Sequence, residues 1–257
     1  MILAIDIGNT HMVLGCLDEN NEVITRFQMS SDLLETAHEY AAEILQIFHL
    51  EKVDPEAIKG SVISSVVPEV QRNVAKAVRI LTGKDPLILG TGIRMGVEVD
   101  MNGLTPDDIA GDLIATAVAA KAYYRLPAVI IDIGTATTVT AVNAAGAYIG
   151  GCILPGPNTA LRGLEERTAL LPAVTFSAPE HAIGKDTVSA MQSGIMYGSA
   201  GALDGILDRF IEELEGTPVI LATGGMGKII APHCRHDIIL DDTLLLKGLG
   251  LIWKDNQ

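Results

Sequence analysis

Aromatic side chains are scarce: four Phe, five Tyr and one Trp make up 4% of 257 residues. A core with so few rings must be filled by aliphatic side chains, which suits close layers of helix and strand with tight turns at the 26 glycines. Cysteine is scarcer still. Cys16, Cys152 and Cys234 are an odd set with no CxxC pair, which argues against a disulfide framework and for a reducing, cytoplasmic setting. Lys and Arg number 18 against 32 Asp and Glu, a formal net charge of −14. Such a chain repels nucleic acid and anionic membrane as a whole, though a local basic pocket for a phosphate stays open. No apolar run approaches the roughly 18 residues of a membrane-spanning helix, and Met-Ile-Leu-Ala-Ile-Asp at the start lacks the basic region of a signal peptide. What abounds is apolar: 48% of residues against 19% charged, enough for a sizeable core, so disorder as the main state is excluded.

Patterning along the chain predicts a β-meander over 2–7, 11–17 and 22–29, with turns at Gly8-Asn9-Thr10 and Asp18-Glu19-Asn20-Asn21. Helical spacing follows at 35–50, a buried strand at 60–67 stopped by Pro68, a helix at 69–82 and a short strand at 86–89. Residues 106–124 read as one long Ala-rich helix, with Pro106 in its first turn and Asp107, Asp108 and Asp112 towards its N-terminal end. From Pro127 the chain starts again: strands at 128–133, 138–143 and 147–153, helices at 158–170 and 186–214, a strand at 218–223 running into Gly224-Gly225, and helices near 226–232 and 242–253.

An internal repeat organises this pattern. Ile5-Asp6-Ile7-Gly8-Asn9-Thr10 returns 126 residues later as Ile131-Asp132-Ile133-Gly134-Thr135-Ala136, each time in a strand–turn–strand–turn–strand context followed by helices. The expected fold is therefore α/β and duplicated: two similar lobes, residues 1–115 and 116–257, with a cleft between them. An Asp inside an apolar strand is costly unless its charge is used. Glycine at a hairpin tip lets backbone approach a ligand closely, and successive N–H groups there can cradle phosphate oxygens. Thr10, Thr135, Thr137 and Thr138 add hydroxyls. Asp6 is suited to hydrated Mg²⁺ on a nucleotide. Val219–Thr223 ending in Gly224-Gly225 would offer a flat surface for the adenosine ring.

The order Asp-Ile-Gly-Asn-Thr, Ser-Ser-Val-Val-Pro, Asp-Ile-Gly-Thr-Ala-Thr-Thr, Gly-Gly-Cys-Ile-Leu-Pro-Gly, Ile-Gly-Lys-Asp-Thr and Thr-Gly-Gly, from Ile2 to about Leu251, resembles that of the type III pantothenate kinases. These are ATPases of the actin-like, hexokinase-like superfamily, with a ribonuclease H-like core. The resemblance implies a cytoplasmic homodimer that phosphorylates the terminal hydroxyl of pantothenate with ATP, the first committed step to coenzyme A. It also implies Mg²⁺ with the ATP, and K⁺ or NH₄⁺ as activator. Residue by residue, it implies a first phosphate loop of Asp6, Ile7, Gly8, Asn9, Thr10, His11, Met12 and Val13, with Asp6 near the magnesium. Asp132 would be the monovalent-cation ligand, Thr135 the second phosphate-loop contact, and Gly224 and Gly225 the adenosine side. Ala110, Gly111, Asp112 and Leu113 would form the acceptor segment, with Asp112 as catalytic base, and Thr187 would touch pantothenate.

Three departures stand out. Leu113 replaces an Arg of the family, removing a fixed cationic fork; Val99–Thr105 lacks the family's Tyr; and Asp186 stands where Asn is usual. The nucleotide motifs are thus better kept than the acceptor motifs. That leaves two rivals: a kinase of the same fold for another hydroxylated small molecule, and a nucleotide-binding regulatory paralogue without turnover. Other signals carry less. Gly90–Gly96 has one residue too many for GxGxxG. His233-Cys234-Arg235-His236 lacks a second metal-ligand pair at the usual spacing and reads as a surface loop.

Overall fold

The computed structural model describes residues 1–257. In chain order the elements are β1 (Ile2–Ile7), β2 (His11–Leu17), β3 (Val23–Ser30), α1 (Ala37–Glu51), β4 (Gly60–Ser65), α2 (Pro68–Thr82), β5 (Leu87–Ile88), β6 (Glu98–Val99), α3 (Gly111–Tyr123), β7 (Ala128–Ile133), β8 (Ala136–Val142), β9 (Ala147–Pro155), α4 (Pro157–Arg167), α5 (Thr187–Glu213), β10 (Val219–Thr223), α6 (Gly227–Ile230), β11 (Ile239–Leu240) and α7 (Leu244–Asp255). Met1–Ala122 with Thr243–Gln257 form one compact unit and Tyr123–Asp242 another. The expected division at 115/116 thus differs from these units in two ways. All but the last residue of α3 stays with the first unit, and α7 returns to it from the far end of the chain.

The strands of the first unit run β3-β2-β1-β4-β5, and those of the second run β11-β10-β7-β8-β9. The match between them is detailed. β1 pairs antiparallel with β2 and parallel with β4; β7 pairs antiparallel with β8 and parallel with β10. β1 and β7 share one burial pattern, β2 and β8 another. Both second strands carry a bulge at the same place, between Cys16 and Leu17 and between Ala141 and Val142. The sequence repeat is a structural duplication. Its second hairpin loop is one residue shorter, Gly134-Thr135 against Gly8-Asn9-Thr10.

The strands alternate as period two requires. Leu3, Ile5, Ile7, Met12 and Leu14 face the core formed with Tyr40, Ile44 and Phe48 of α1 and Val70, Val74 and Val78 of α2. The opposite face of this sheet takes α7, with Leu246 lying where any side chain at Gly15 would stand and the Trp253 ring covering Gly60. In the second unit Val129, Ile131, Ile133 and Val139 pack on Met196, Ala200, Leu203 and Leu207 of α5.

One expected helix is broken. Residues 106–124 are a 3-10 turn at Pro106–Asp108, an extended step at Ile109 (φ −105°, ψ 143°), and then α3. The break has a local cause. The Asp108 carboxylate accepts both the backbone N–H of Thr105 (2.8 Å) and its hydroxyl (2.8 Å), closing a capping box that ends the turn. Asp107 and Asp108 are therefore not first-turn acids of α3, and Asp112 is.

Candidate active site

In the first unit the carboxyl end of β1 carries Asp6, whose lateral neighbours are Val13 on β2 and Ser64 on β4. All three side chains project from the face opposite the α1/α2 core. Gly111, the first residue of α3, seats on the same face: a Cβ there would lie 3.0 Å from Ser64 Oγ. Glycine lets the helix start close down on β4 at Ser64, and Asp112 is the next residue of the helix. Ser64 lies in an apolar strand with no His nearby in the sequence, a pattern that reads as packing or pocket lining. The structure shows its hydroxyl buried with no hydrogen-bond partner, at the junction of the two elements that carry the candidate carboxylates.

Asp112 accepts the N–H of Leu113 at 2.8 Å. Burial pushes its carboxyl above the usual range, an effect that amide hydrogen bonds from Leu113 and from its own backbone only partly offset. A carboxylate at a helix N-terminus, favoured there by the dipole yet held above its usual range by desolvation, is suited to accepting a proton from a reacting hydroxyl. Leu113 follows it, partly exposed, and Ala110 precedes it on the surface.

The first hairpin divides into two classes of residue. Ile7 and Met12 are fully buried in the α1/α2 core, so only their backbones could reach a ligand. Asn9, Thr10 and His11 are exposed at the tip, and the loop is closed by Gly8 N–H donating to His11 O at 3.1 Å. The second hairpin closes in the same way, Gly134 N–H to Ala136 O at 2.9 Å.

In the second unit Asp132 occupies the position of Asp6, flanked by Thr138 and Thr223. Gly224 follows β10 at φ +86°, so tightly against this strand that a Cβ would collide with the Asp132 carboxylate and the backbone of Ile133. Met226 N–H donates to Ile133 O at 3.0 Å and holds the loop there. Gly225 beside it faces open space. The Thr135 carbonyl accepts Gly156 N–H (3.0 Å) and the Thr159 hydroxyl (2.6 Å), so the start of α4 braces the second phosphate-loop candidate. No signal in the sequence analysis singled out that brace, although Gly-Pro after a strand is a helix-start pattern that could have done so. Thr187 opens α5, capped by Asp186, whose carboxylate accepts Ser189 N–H at 2.9 Å. An N-cap accepts Asp as readily as Asn, which accounts for the change from Asn. Asp6 and Asp112 thus lie in the first unit, and Asp132, Thr135, Thr187, Gly224 and Gly225 in the second.

Comparison with known proteins decides the family. The sequence model of the type III pantothenate kinases matches residues 2–209. The chain belongs to the type III pantothenate kinase family. It is 39% identical to the type III pantothenate kinase of Syntrophus aciditrophicus (strain SB) over 257 residues, all of both chains. It is 37% identical to that of Moorella thermoacetica over 256 residues, again spanning both chains. Among solved structures, component A of (R)-2-hydroxyglutaryl-CoA dehydratase from Acidaminococcus fermentans superposes with a TM-score of 0.58 at 14% identity, covering 97% of this chain and 95% of that one. That likeness is one of fold, in keeping with the duplicated α/β architecture expected from the repeat and with the actin-like fold that the family resemblance implies.

Nowhere do three His, Cys, Asp or Glu side chains come together as a ready-made metal site. A single carboxylate beside a phosphate loop fits magnesium that arrives on ATP, since Mg²⁺ takes only one or two protein carboxylates with phosphates and water. Asp132, with threonines on both sides and backbone close by, offers oxygen donors that fit a hard monovalent cation.

Proposed function

We propose that this chain, as a kinase of coenzyme A biosynthesis, transfers the γ-phosphoryl group of ATP to the terminal hydroxyl of pantothenate, with Asp112 as the base. The observation that carries this reading is the half-buried Asp112 carboxylate in the first turn of α3, pushed up in pKa by desolvation and following Gly111, which seats on Ser64, the lateral neighbour of Asp6. The hydroxyl of the acceptor gives its proton to Asp112 as its oxygen bonds to phosphorus, and ADP leaves with the electron pair of the broken P–O bond. Backbone N–H groups at the exposed Asn9–His11 tip hold phosphate oxygens, with Asp6 near the bound magnesium. Thr135 makes a further phosphate contact, Gly224 and Gly225 take the adenosine, and Thr187 touches the acceptor. Magnesium, with K⁺ or NH₄⁺ at Asp132, supplies charge neutralisation of the phosphates when bound. Positioning and electrostatics carry most of the rate.

The protein further acts as a cytoplasmic homodimer in this reading. Its three cysteines are unpaired, and α5 carries Gly194, Gly198 and Gly201 against open space, room for a second backbone to approach. ADP release with ATP, Mg²⁺ and K⁺, with and without pantothenate and with product mass checked, tests the activity. Pantothenate-dependent ADP with phosphopantothenate formed is the expected result. Turnover only with other hydroxylated metabolites reassigns the acceptor, and ATP binding without any turnover assigns a regulatory role. Replacing K⁺ by Na⁺ tests Asp132, and light scattering tests the dimer.

A further inference from the structure

The four residues His233-Cys234-Arg235-His236 lie along α5, each on a successive turn. The His233 ring meets Tyr197 edge-on, with centroids 5.5 Å apart. Cys234 Sγ faces the Ala200 carbonyl at 3.8 Å. Arg235 donates to Asp204 twice, from its backbone N–H to Oδ1 at 2.8 Å and from Nε to Oδ2 at 3.2 Å. His236 Nε2 is 2.9 Å from Asp208 Oδ1. The third contact has a buried carboxylate at its centre: the Asp204 side chain is 4% exposed, while Arg235 is 80% exposed. A carboxylate buried in mid-helix is expensive unless both oxygens are satisfied. Here one segment satisfies both.

That segment is the tail of the loop that begins at Gly224. From Gly224 the chain passes through α6 and a 3-10 turn at Ala231–His233 and reaches Arg235. The front of the loop is fixed to β7 through Met226 and the close seat of Gly224. Its rear is fixed to α5 through Asp204. We propose that Asp204 is a positioning residue for the nucleotide: held by Arg235, it sets where α6 and the Gly224–Gly225 surface stand. Asp204 touches no reactant itself. The proposal rests on the reading that Gly225 lies against the adenosine.

The test uses the full-length enzyme with three variants, Arg235→Ala, Asp204→Asn and Gly225→Val, and measures KM for each substrate, kcat, and Kd of a non-hydrolysable ATP analogue without pantothenate. Arg235→Ala removes one exposed arm of the pair and leaves the packed interior intact, so it folds even where Asp204→Asn does not. The pair contributes charged hydrogen bonds, so ATP KM and analogue Kd rise about fivefold in Arg235→Ala and about tenfold in Asp204→Asn, with pantothenate KM and kcat within about twofold. Combining the two changes adds little to the larger one, because they break the same link. Variants that melt earlier but bind both substrates as the parent does would show a merely structural role and overturn the proposal. Gly225→Val separates the two readings. If it leaves ATP affinity unchanged, the adenosine assignment fails and the proposal with it. If it weakens ATP binding while the Asp204 and Arg235 variants do not, the proposal alone fails.

Discussion

At Asp112 two effects oppose each other: the start of α3 favours a negative charge, and burial disfavours it more. The net rise has two measurable consequences. The acid limb of the kcat/KM profile should have its midpoint above the ordinary Asp range of about 4. Asp112→Asn should lower turnover by about 10³-fold while ATP still binds, as a calorimetric titration would show; turnover near that of the parent would remove the base assignment. Stability moves the other way. A carboxyl whose folded pKa is raised holds its proton longer in the folded state, so its penalty grows as pH climbs from the unfolded pKa through the folded one. Asp112→Asn should therefore melt higher than the parent at neutral pH, and the gain should vanish below the unfolded pKa. Gly224 makes a second point at this scale. With φ +86° and a Cβ that would strike the Asp132 carboxylate, Gly224→Ala should destabilise the protein by about 2 kcal/mol or more in urea unfolding and weaken the K⁺ activation proposed for Asp132. Asp6, Asp132 and Gly224 stood out in the sequence because a charge in an apolar strand and paired glycines are unusual. Ser64 did not, because a serine in a strand is ordinary until a helix start closes over it.

Among the elements, α5 shows how a loop residue and a helix end are bound together. Asp186 accepts from Ser189 N–H and hydroxyl, which holds its carboxyl below the usual range. That contribution is present above the unfolded pKa and is lost as pH falls through the folded one. Asp186→Ala should lower the melting temperature at neutral pH and, if Thr187 touches pantothenate as proposed, weaken pantothenate binding, while Asp186→Asn should change little; scanning calorimetry and pantothenate KM check both. The split of 106–124 is the case where periodicity misled. Ala-rich spacing runs on through the segment, but Thr105 and Asp108 close a turn of their own before α3 begins. That choice of where to start the helix decides that Asp112, rather than Asp107 or Asp108, occupies the first turn.

For the whole molecule, the notable feature is that the last twelve residues of regular structure belong with the first. α7 covers the sheet face opposite α1 and α2, with Leu246 only 1% exposed and lodged over Gly15, and Gly248 against the backbone of Ala115. Leu246→Ala should cost about 3 kcal/mol in chemical denaturation, close to a Leu lost from any packed core. The effect should fall on the first unit, so hydrogen exchange should quicken at β1 and β2 and stay unchanged at β7 and β8. A uniform change across both units would contradict this division.

The repeated Asp-Ile-Gly strands, the order of motifs, the family and most helices were legible in the amino-acid order, because hydrophobic period and glycine placement act over a few residues. The pairing of β1 with β4 and of β7 with β10, the return of α7, the seating of Gly111 on Ser64 and the grip of Asp204 on Arg235 were decided by tertiary structure. Each joins residues far apart in the chain, and each depends on how closely two backbones approach, a distance that no local pattern encodes.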